Sequence, residues 1–386
     1  MRIGVPKETA VGERRVALVP EVVSKLKARG LDVVVQSDAG ADAMLTDAAF
    51  VEAGAQVTKD AAEVWHSDVV VTIAPPDPQA IRGLGSRSIL IGFLAPLTSP
   101  QTTRALADTN ATAFAMEAIP RISRAQAMDA LSSQSNIAGY RAALLGAQEM
   151  GRFYPMLMTA AGTIPPAKVL VLGVGVAGLQ ALATAKRLGA RTTGYDVRPE
   201  VAEQVESLGA MWLDLGLEAS GEGGYARELT SDERVRQQQA LTDAIKGFDV
   251  VISTALVPGR PAPKLVTAEA IEGMKPGSVV VDLAGEAGGN CELTDPGETV
   301  VRHDVKIVSP LNLPASMAEH SSQLFARNVQ ALLELFVGED GSLQLDFDDE
   351  IVNGACIVRD GEIVHPGAKA AVEAPEDAPA GARKAS

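Results

Sequence analysis

The stretch Lys168-Val-Leu-Val-Leu-Gly-Val-Gly-Val-Ala-Gly-Leu-Gln180 decides the fold of this chain. An apolar run leads into Gly173, Gly175 and Gly178, and a helical pattern follows. This order is typical of a buried strand, a glycine-rich turn and a helix that binds a dinucleotide. The first glycine permits the tight turn, the second lets a pyrophosphate approach the backbone, and the third lets helix and strand pack closely. The free N–H groups and positive dipole end of the helix favour the phosphates.

The residues after this stretch support dinucleotide binding over a turn with a purely structural role. A second strand-like run, Arg191 to Tyr195, ends in Asp196, about 20 residues on, where an acidic residue holds the ribose hydroxyls. A 2′-phosphate ~4 Å from this carboxylate would be repelled by a few kcal/mol at an effective dielectric constant of ~20. Arg198 could soften that repulsion, because a nearby arginine is the usual adaptation to NADP. Since the carboxylate lies at the strand end itself, the sequence predicts NAD(H).

Length, charge and cysteine content exclude several classes of protein. The 386 residues are enough for two domains, and the net charge of −15 argues against binding nucleic acid or an anionic membrane surface. The two cysteines, Cys291 and Cys356, form no CxxC pair, which fits a reducing cytoplasm. The N-terminus does not resemble a signal peptide, and no run of about 20 apolar residues predicts a membrane span.

The alternation of strand-like and helix-like segments predicts an α/β fold with two Rossmann-like, doubly wound parallel-sheet domains. We expect a discontinuous N-terminal domain, residues 1–130 plus 315–366, completed by a helix over Ser321 to Phe336. The glycine motif lies in the second domain, residues 131–314. A long helical pattern from Ala125 to Met150 connects the two domains. Short strands are expected between Leu343 and Val364, with a turn at Asp360-Gly361. The tail, residues 367–386, is predicted to be disordered.

A polar segment, residues 121–136, lies between two apolar segments. Gln126, Asp129 and Ser133 would share one face of a helix, with Ser132 beside them. One interpretation is a solvated helix start, in which Ser and Asp serve as caps. The other is that amides and hydroxyls hold a nicotinamide carboxamide, while the negative charge of Asp129 favours the positive ring that is left when hydride departs.

Two further segments carry candidate residues. The segment from Gly216 to Gly247, with Tyr225 near its centre, is long and glycine-rich, which indicates either a mobile lid or a decorated surface loop. Asp282 and Glu286 follow another strand-like run. We expect Asp282 to have a structural role, and the role of Glu286 stays open.

The histidines are few: His66, His303, His320 and His365, with no metal-binding spacing among them, so no metal site is predicted. A dehydrogenase that acts on an alcohol or amine moves a proton with the hydride and usually recruits His or Lys for it. No such residue stands out near the segments above. A hydride passed between two nicotinamides needs no proton donor.

The chain resembles the NAD(H)-binding component of proton-translocating nicotinamide nucleotide transhydrogenases. The similarity runs nearly end to end, from Arg2 to Pro366. Its most specific pieces are residues 120–129 (Pro-Arg-Ile-Ser-Arg-Ala-Gln-Ala-Met-Asp), 158–163 (Met-Thr-Ala-Ala-Gly-Thr), 173–180 and 223–225 (Gly-Gly-Tyr).

The resemblance implies an NAD(P)+ transhydrogenase of the Si-specific, proton-translocating type that is active only with partner subunits. NAD(H) would lie in a cleft between the two domains of a homodimer. Hydride would pass to NADP(H) held by a beta subunit, and a membrane-embedded subunit would couple the transfer to proton translocation. The chain would then be cytoplasmic and peripheral to the inner membrane.

The resemblance also assigns roles to residues, by position in this sequence. It assigns catalysis to Arg121, Gln126, Asp129, Ser132 and Tyr225. It assigns NAD(H) binding to Gln126, Ala127, Met128, Asp129, Gly173, Gly175, Val176, Ala177, Gly178, Asp196, Val197, Arg198, Gly224, Tyr225, Gln237 and Leu256.

The main alternative is an alanine dehydrogenase, a relative of the same architecture that works without a partner on pyruvate and ammonia. Its pattern has an arginine near the N-terminus, which Arg15 matches, and then a lysine and a histidine. Those two positions hold Ala74 and Phe93, so the substrate-binding and acid–base groups are absent. We assign no role to Phe93. A third hypothesis is a non-catalytic NAD(H) sensor that signals to a partner.

Overall fold

The computed structural model describes residues 1–85, 87–216, 231–257, 259–338 and 342–374. The chain forms two compact units. The first unit combines residues 1–134 with the chain from Pro314 onward, and the second spans residues 135–313. The sequence placed these divisions at residues 130 and 314.

The strands are short and mostly apolar. In chain order they are β1 Arg2–Val5, β2 Asp32–Gln36, β3 Gln56–Thr58, β4 Val69–Val71, β5 Ile89–Gly92, β6 Thr112–Ala115, β7 Leu157–Thr159, β8 Gly162–Ile164, β9 Lys168–Leu172, β10 Arg191–Tyr195, β11 Met211–Trp212, β12 Val250–Ser253, β13 Val279–Asp282, β14 Thr299–Arg302, β15 Val305–Val308, β16 Cys356–Arg359 and β17 Glu362–Ile363.

The α-helices alternate with these strands over much of the chain. They are α1 Pro20–Ala28, α2 Asp47–Glu52, α3 Ala61–Trp65, α4 Pro78–Ile81, α5 Pro100–Ala107, α6 Ala130–Glu149, α7 Val176–Arg187, α8 Ala202–Ser207, α9 Ser231–Ile245, α10 Ala268–Gly273, α11 Ala318–Phe336, α12 Glu350–Ala355 and α13 Pro366–Glu373. None of the helices in the described ranges has the length and apolar character needed to cross a bilayer.

The first unit is built on a sheet with the order β17-β16-β6-β5-β4-β1-β2-β3. Strands β1 to β6 are parallel, and β4 and β5 are buried along their whole length, as expected when helices cover both faces. Strands β16 and β17 add an antiparallel hairpin. Its two-residue loop, Asp360-Gly361, has φ angles of 49° and 84°, which suits a type I′ turn and confirms the predicted turn.

The helix α11 completes the core of the first unit. Phe325, Val329, Leu332 and Phe336 repeat at helical spacing and are fully buried. The ring of Phe336 lies 4.6 Å from that of Phe114 on β6. The C-terminal part of the chain therefore supplies core residues to the N-terminal sheet, and the helix begins slightly before the predicted Ser321.

The second unit is built on a sheet with the order β11-β10-β9-β12-β13-β15-β14, parallel except for β14. From β9 the chain moves outward through β10 to β11 and then returns to place β12 on the other side of β9. Such a reversal opens a crevice beyond the carboxyl ends of β9 and β12, where open α/β sheets bind their ligands.

The strands β7 and β8 form an antiparallel hairpin that pairs with no other strand in the described ranges. Two of its apolar side chains, Met158 and Ile164, face solvent, while Leu157 is half-buried. Met158 is 72% exposed, and Met156 and Ile164 are exposed as well. A two-stranded hairpin with these side chains in water has little stability of its own.

The structure corrects three predicted elements. The helix expected over Ala125 to Met150 is instead a 3₁₀ helix, Ser123–Met128, followed by α6, because Asp129 leaves the helical conformation at a ψ of 82°. The helix α12 occupies part of the segment predicted as short strands. The helix α9 forms the second half of the predicted 216–247 loop, where Gln, Ala and Leu favour helix.

The predicted disordered tail is wrong over its first residues. Residues 366–373 form α13, which His365 caps by accepting a 3.1 Å hydrogen bond at Nδ1 from the Ala368 N–H. Ala368 and Ala371 are buried, and Arg104 Nη2 on α5 donates to the Val372 carbonyl at 2.5 Å. Small alanine side chains give a weak apolar pattern, which is why the sequence did not reveal this contact. The rest of the predicted tail, residues 375–386, lies outside the described residues.

Candidate functional site

The glycine-rich turn follows β9 at the switch point. Gly173 has a φ of 85°, in the left-handed region that favours glycine, and its N–H donates to the Tyr195 carbonyl at 2.8 Å. A side chain at Gly178 would overlap the carbonyl oxygen of Gly173. The tight turn and the close helix–strand packing predicted for these two glycines are therefore confirmed.

Gly175 lies at the start of α7 and differs from its neighbours. Its φ is −73°, and a Cβ there would meet no atom within 4 Å. Neither backbone conformation nor packing within the described chain requires glycine at this position. No described side chain caps the N-terminus of α7, so N–H groups of its first turn stay available beside this open space. The arrangement fits a pyrophosphate that contacts the backbone at Gly175, Val176 and Ala177.

The loop after β12 forms the other wall of the turn. The Thr254 hydroxyl donates to the Gly173 carbonyl at 2.8 Å, and the backbone nitrogen of Ala255 would lie 3.1 Å from a Cβ at Gly173. The sequence alone does not reveal this role of Thr254, because a lone threonine after a strand carries no motif.

Asp196 ties the end of β10 to the turn. Its Oδ2 accepts from the Val174 N–H at 2.9 Å, and its two oxygens accept from Arg198 Nε and Nη2 at 3.0 and 3.1 Å. Burial pushes the pKa of Asp196 up, but the Arg198 side chain and the backbone N–H donors outweigh burial and hold that pKa below its usual value. Asp196 is therefore a carboxylate at neutral pH, and its side chain is only 7% exposed at the strand end.

Exposed apolar side chains surround this edge of the sheet. Val197, next to Asp196, is 70% exposed, and Leu256, two residues after Thr254, is 56% exposed. Apolar groups at the carboxyl ends of β10 and β12 suit the flat faces of an adenine. Gln237 lies half-buried on α9, while Gly224 and Tyr225 lie outside the described residues.

The polar segment of the first unit presents some of its predicted residues to solvent. Arg121, Gln126 and Ala127 are exposed, and the Ala127 carbonyl accepts from Asn328 Nδ2 at 2.8 Å. The side chain of Met128 is buried in the core of this unit, so only its backbone can contact a ligand.

Asp129 and Ser132 form the N-terminal cap of α6. Asp129 Oδ1 accepts from the Ser132 N–H at 2.9 Å, and Oδ2 accepts from the Ser132 hydroxyl at 2.6 Å. The capping interpretation therefore describes these two residues. It does not exclude a ligand contact, because Asp129 is only half-buried and keeps unused lone pairs.

Asp282 has the structural role that the sequence predicts. It is fully buried at the end of β13 and accepts from the Ser253 hydroxyl, the Ala284 and Cys291 N–H groups and the Thr294 hydroxyl, at 2.6–3.1 Å. Glu286 is exposed and accepts from the Asn312 N–H at 2.9 Å. These bonds fix the loop after β13.

Arg15, the residue that matches an alanine dehydrogenase, is engaged by its own chain. Its Nε and Nη2 donate to the two Glu13 oxygens at 2.7 and 2.6 Å, and its Nη1 donates to Gln134 Oε1 at 2.9 Å, all in buried positions. The N–H of Ala74 donates to Glu8. Burial, opposed by hydrogen bonds from Ile73 and Ala74, raises the pKa of Glu8 to about 7.

Comparison with known proteins covers almost the whole chain. Models of the N-terminal and C-terminal domains of alanine dehydrogenase/PNT match residues 4–138 and 142–366. The first part of NAD(P) transhydrogenase subunit alpha from Rhodospirillum rubrum is 48% identical over 377 residues, 95% of this chain and 98% of that protein. Alanine dehydrogenase from Mycobacterium tuberculosis is 33% identical, over 83% and 84% of the two chains.

A solved structure agrees with these similarities. The transhydrogenase from Sinorhizobium meliloti superimposes with a TM-score of 0.84 at 42% identity, covering 95% of this chain and 99% of that one. Sequence and structure thus lead to one conclusion: the chain belongs to the alanine dehydrogenase/PNT family.

Proposed function

We propose that this chain is the NAD(H)-binding subunit of a proton-translocating transhydrogenase. It exchanges hydride with NADP(H) held by a beta subunit, and a membrane-embedded subunit couples the exchange to proton translocation. The observation that carries the proposal is the near end-to-end similarity to transhydrogenase alpha subunits. The open space at Gly175 supports it. Neither the backbone conformation nor the packing of the described residues requires glycine there, whereas a phosphate that approaches the backbone does.

The chain's own residues bind and orient the coenzyme, which supplies the hydride. The N–H groups at the start of α7 hold the pyrophosphate. Asp196 accepts from the ribose hydroxyls and disfavours a 2′-phosphate. The carboxylate of Asp129 would favour the oxidised, positive nicotinamide ring over the reduced one. Arg121 and Gln126 stay exposed for the nicotinamide side.

An alanine dehydrogenase activity is the second candidate, favoured by the shared fold and by Arg15. The contacts of Arg15 argue against it. The buried Glu13 carboxylate already pairs with Nε and Nη2 of Arg15, and Gln134 accepts from Nη1, which leaves fewer N–H groups for a 2-oxo acid carboxylate. Position 74 offers a methyl group in place of an ammonium. NADH consumption with pyruvate and ammonia, without any partner protein, would support this candidate over the first.

A hydride-exchange assay tests the main proposal. The purified chain is mixed with the NADP(H)-binding domain of a transhydrogenase beta subunit, and NADPH-dependent reduction of an NAD+ analogue with a shifted absorbance is followed. We expect exchange only when both proteins are present. A rate no greater than that of either protein alone contradicts the proposal. The resemblance also predicts that the hydride transfer is Si-specific. Transfer from deuterium-labelled coenzymes would test this prediction.

We also infer that the subunit works as a homodimer, on account of the β7–β8 hairpin. Residues 153–167 carry no charge. The hairpin exposes Met158 and Ile164, Met156 just before it is exposed too, and neither strand pairs with a further strand among the described residues. Uncharged, apolar strand edges favour pairing with another chain. Light scattering should give a dimer for the wild type and a monomer for Met158→Glu. A dimer of unchanged affinity in that variant contradicts the inference.

Attachment to the membrane follows from the same proposal. The chain should sediment with membranes that contain the membrane-embedded and beta subunits and stay in the supernatant with membranes that lack them. Sedimentation with pure lipid vesicles would contradict attachment through partner subunits.

A further inference from the structure

Asn290 connects the loop after β13 with the loop after β12. Its Nδ2 donates to the Ala255 and Pro263 carbonyls, both at 2.8 Å, and its Oδ1 accepts from the Ala255 N–H at 3.1 Å. Both backbone polar groups of Ala255 are therefore satisfied by one side chain. Asn290 is fully buried, so no water substitutes for these bonds in the folded protein.

Ala255 lies directly against the glycine-rich turn. Its nitrogen and Cα would lie 3.1 and 3.3 Å from a Cβ at Gly173, and the preceding residue, Thr254, donates its hydroxyl to the Gly173 carbonyl. The next residue, Leu256, is the exposed apolar side chain beside this turn. The position of Ala255 therefore sets the place of Leu256 and one wall of the turn.

The loop that carries Asn290 is itself held firmly. Asp282 accepts from the Ala284 N–H at 3.0 Å, before Asn290, and from the Cys291 N–H at 2.9 Å and the Thr294 hydroxyl at 2.6 Å, after it. Lys264 Nζ donates to the Gly288 and Gly289 carbonyls at 2.6 and 2.8 Å. A side chain on such a supported loop has little freedom, which is what a positioning role requires.

We propose that Asn290 is a positioning residue for the dinucleotide: it holds the 254–257 loop in its binding conformation before the coenzyme arrives. The inference rests on the proposed NAD(H) site. Asn290 does not contact the coenzyme and acts through Ala255 and Leu256. Without it, the loop samples other conformations, and binding must first order it, which weakens affinity without removing any direct contact.

The test compares Asn290→Ala with Thr294→Val, which removes a partly buried hydrogen bond of the same loop but leaves Ala255 untouched. Calorimetry gives the dissociation constant for NADH, and a thermal melt gives stability. Amide hydrogen exchange of the free protein reports on residues 254–257. We expect both variants to melt below the wild type. Only Asn290→Ala should weaken NADH binding, about tenfold, and speed exchange in the 254–257 loop.

A second variant keeps the test decisive if Asn290→Ala does not fold. Asn290→Ser leaves a small hydroxyl that can keep one of the three hydrogen bonds and buries no charge, so it should show the same pattern to a smaller degree. Wild-type affinity in the Asn290 variants, or equal loss of affinity in Thr294→Val, overturns the inference. If the wild type itself binds no NADH, the proposed function fails, whereas faster exchange in the 254–257 loop of the Asn290 variants would still support the ordering role.

Discussion

Replacing Gly175 by alanine should weaken coenzyme binding without disturbing the fold. Unlike Gly173 and Gly178, Gly175 is required neither by its backbone conformation nor by packing. The methyl group of Gly175→Ala meets no described atom within 4 Å, and the φ of −73° suits alanine. Alanine is a poorer N-cap than glycine, at a cost of up to about 1 kcal/mol, and restricts the unfolded chain, at a gain of about 0.4–1 kcal/mol. These two effects nearly cancel, so the melting temperature should change by no more than a few degrees.

Binding of NADH should respond very differently. The methyl group fills the space beside the first N–H groups of α7 and keeps the pyrophosphate from reaching them. Each hydrogen bond to a charged group contributes about 1.5–3 kcal/mol, so losing one or two of them removes about 3 kcal/mol. The dissociation constant for NADH should rise about 100-fold. Fluorescence titration with NADH measures this change directly.

Gly178→Ala is the matched control. Its methyl group would overlap the carbonyl oxygen of Gly173 in the same turn, so the helix and the strand must move apart. Overpacking of this kind costs about 1–3 kcal/mol or more, which exceeds the ~1 kcal/mol that alanine gains over glycine within a helix. Gly178→Ala should therefore melt lower than Gly175→Ala. If Gly175→Ala binds NADH within threefold of the wild type, or loses as much stability as Gly178→Ala, the assignment of Gly175 to the phosphates is refuted.

Three further predictions follow from other contacts. Asp129→Asn keeps the acceptor for the Ser132 N–H but removes the charge, so hydride transfer to the partner domain, measured by stopped flow, should slow about 100-fold while NADH affinity changes little. Equal losses in rate and binding would show that Asp129 only shapes the pocket. An unchanged rate would favour a sensor. The pKa of Glu8 lies near 7 in the folded protein against an ordinary 4.5, so the native state binds this proton more tightly than the unfolded chain. The free energy of unfolding should then fall between pH 4.5 and pH 7, by at most about 3 kcal/mol, and urea titrations of Glu8→Gln should lack this fall. Deleting the chain from Gly367 removes the α13 contacts with Arg104 and should lower the melting temperature by several degrees, whereas deleting it from Pro375 leaves those contacts in place.

The strands and the roles of two glycines could be predicted because their signals are local. The run Arg191–Tyr195, which ends at an acidic residue, appears in the structure as a strand with the predicted bounds. A strand followed by Gly173 and Gly178 specifies a backbone geometry that few other residues permit. The sequence could also place Asp196 at a strand end, although not its contacts with Val174 and Arg198.

The remaining features depend on residues that are distant in sequence. The pairing of Arg15 with Gln134 joins positions 119 residues apart, and a pattern near the N-terminus does not reveal it. Asn290 follows two glycines and looks like an ordinary loop residue until the carbonyls of Ala255 and Pro263 are seen around it. The helix α13 depends on the packing of small alanine side chains against α5. Alanines give no clear hydrophobic periodicity in the sequence.

The bond from the Val174 N–H to Asp196 has a consequence for attempts to redesign the coenzyme preference. A small apolar residue at position 196, such as alanine, would make room for a 2′-phosphate, but it would also take away the acceptor that holds the turn. Tolerance of NADP(H) and loss of the loop's shape are thus coupled in a single substitution. An engineered or evolving variant would need a second change that supplies a new acceptor for Val174, so the path to a changed preference passes through an intermediate that binds either coenzyme poorly.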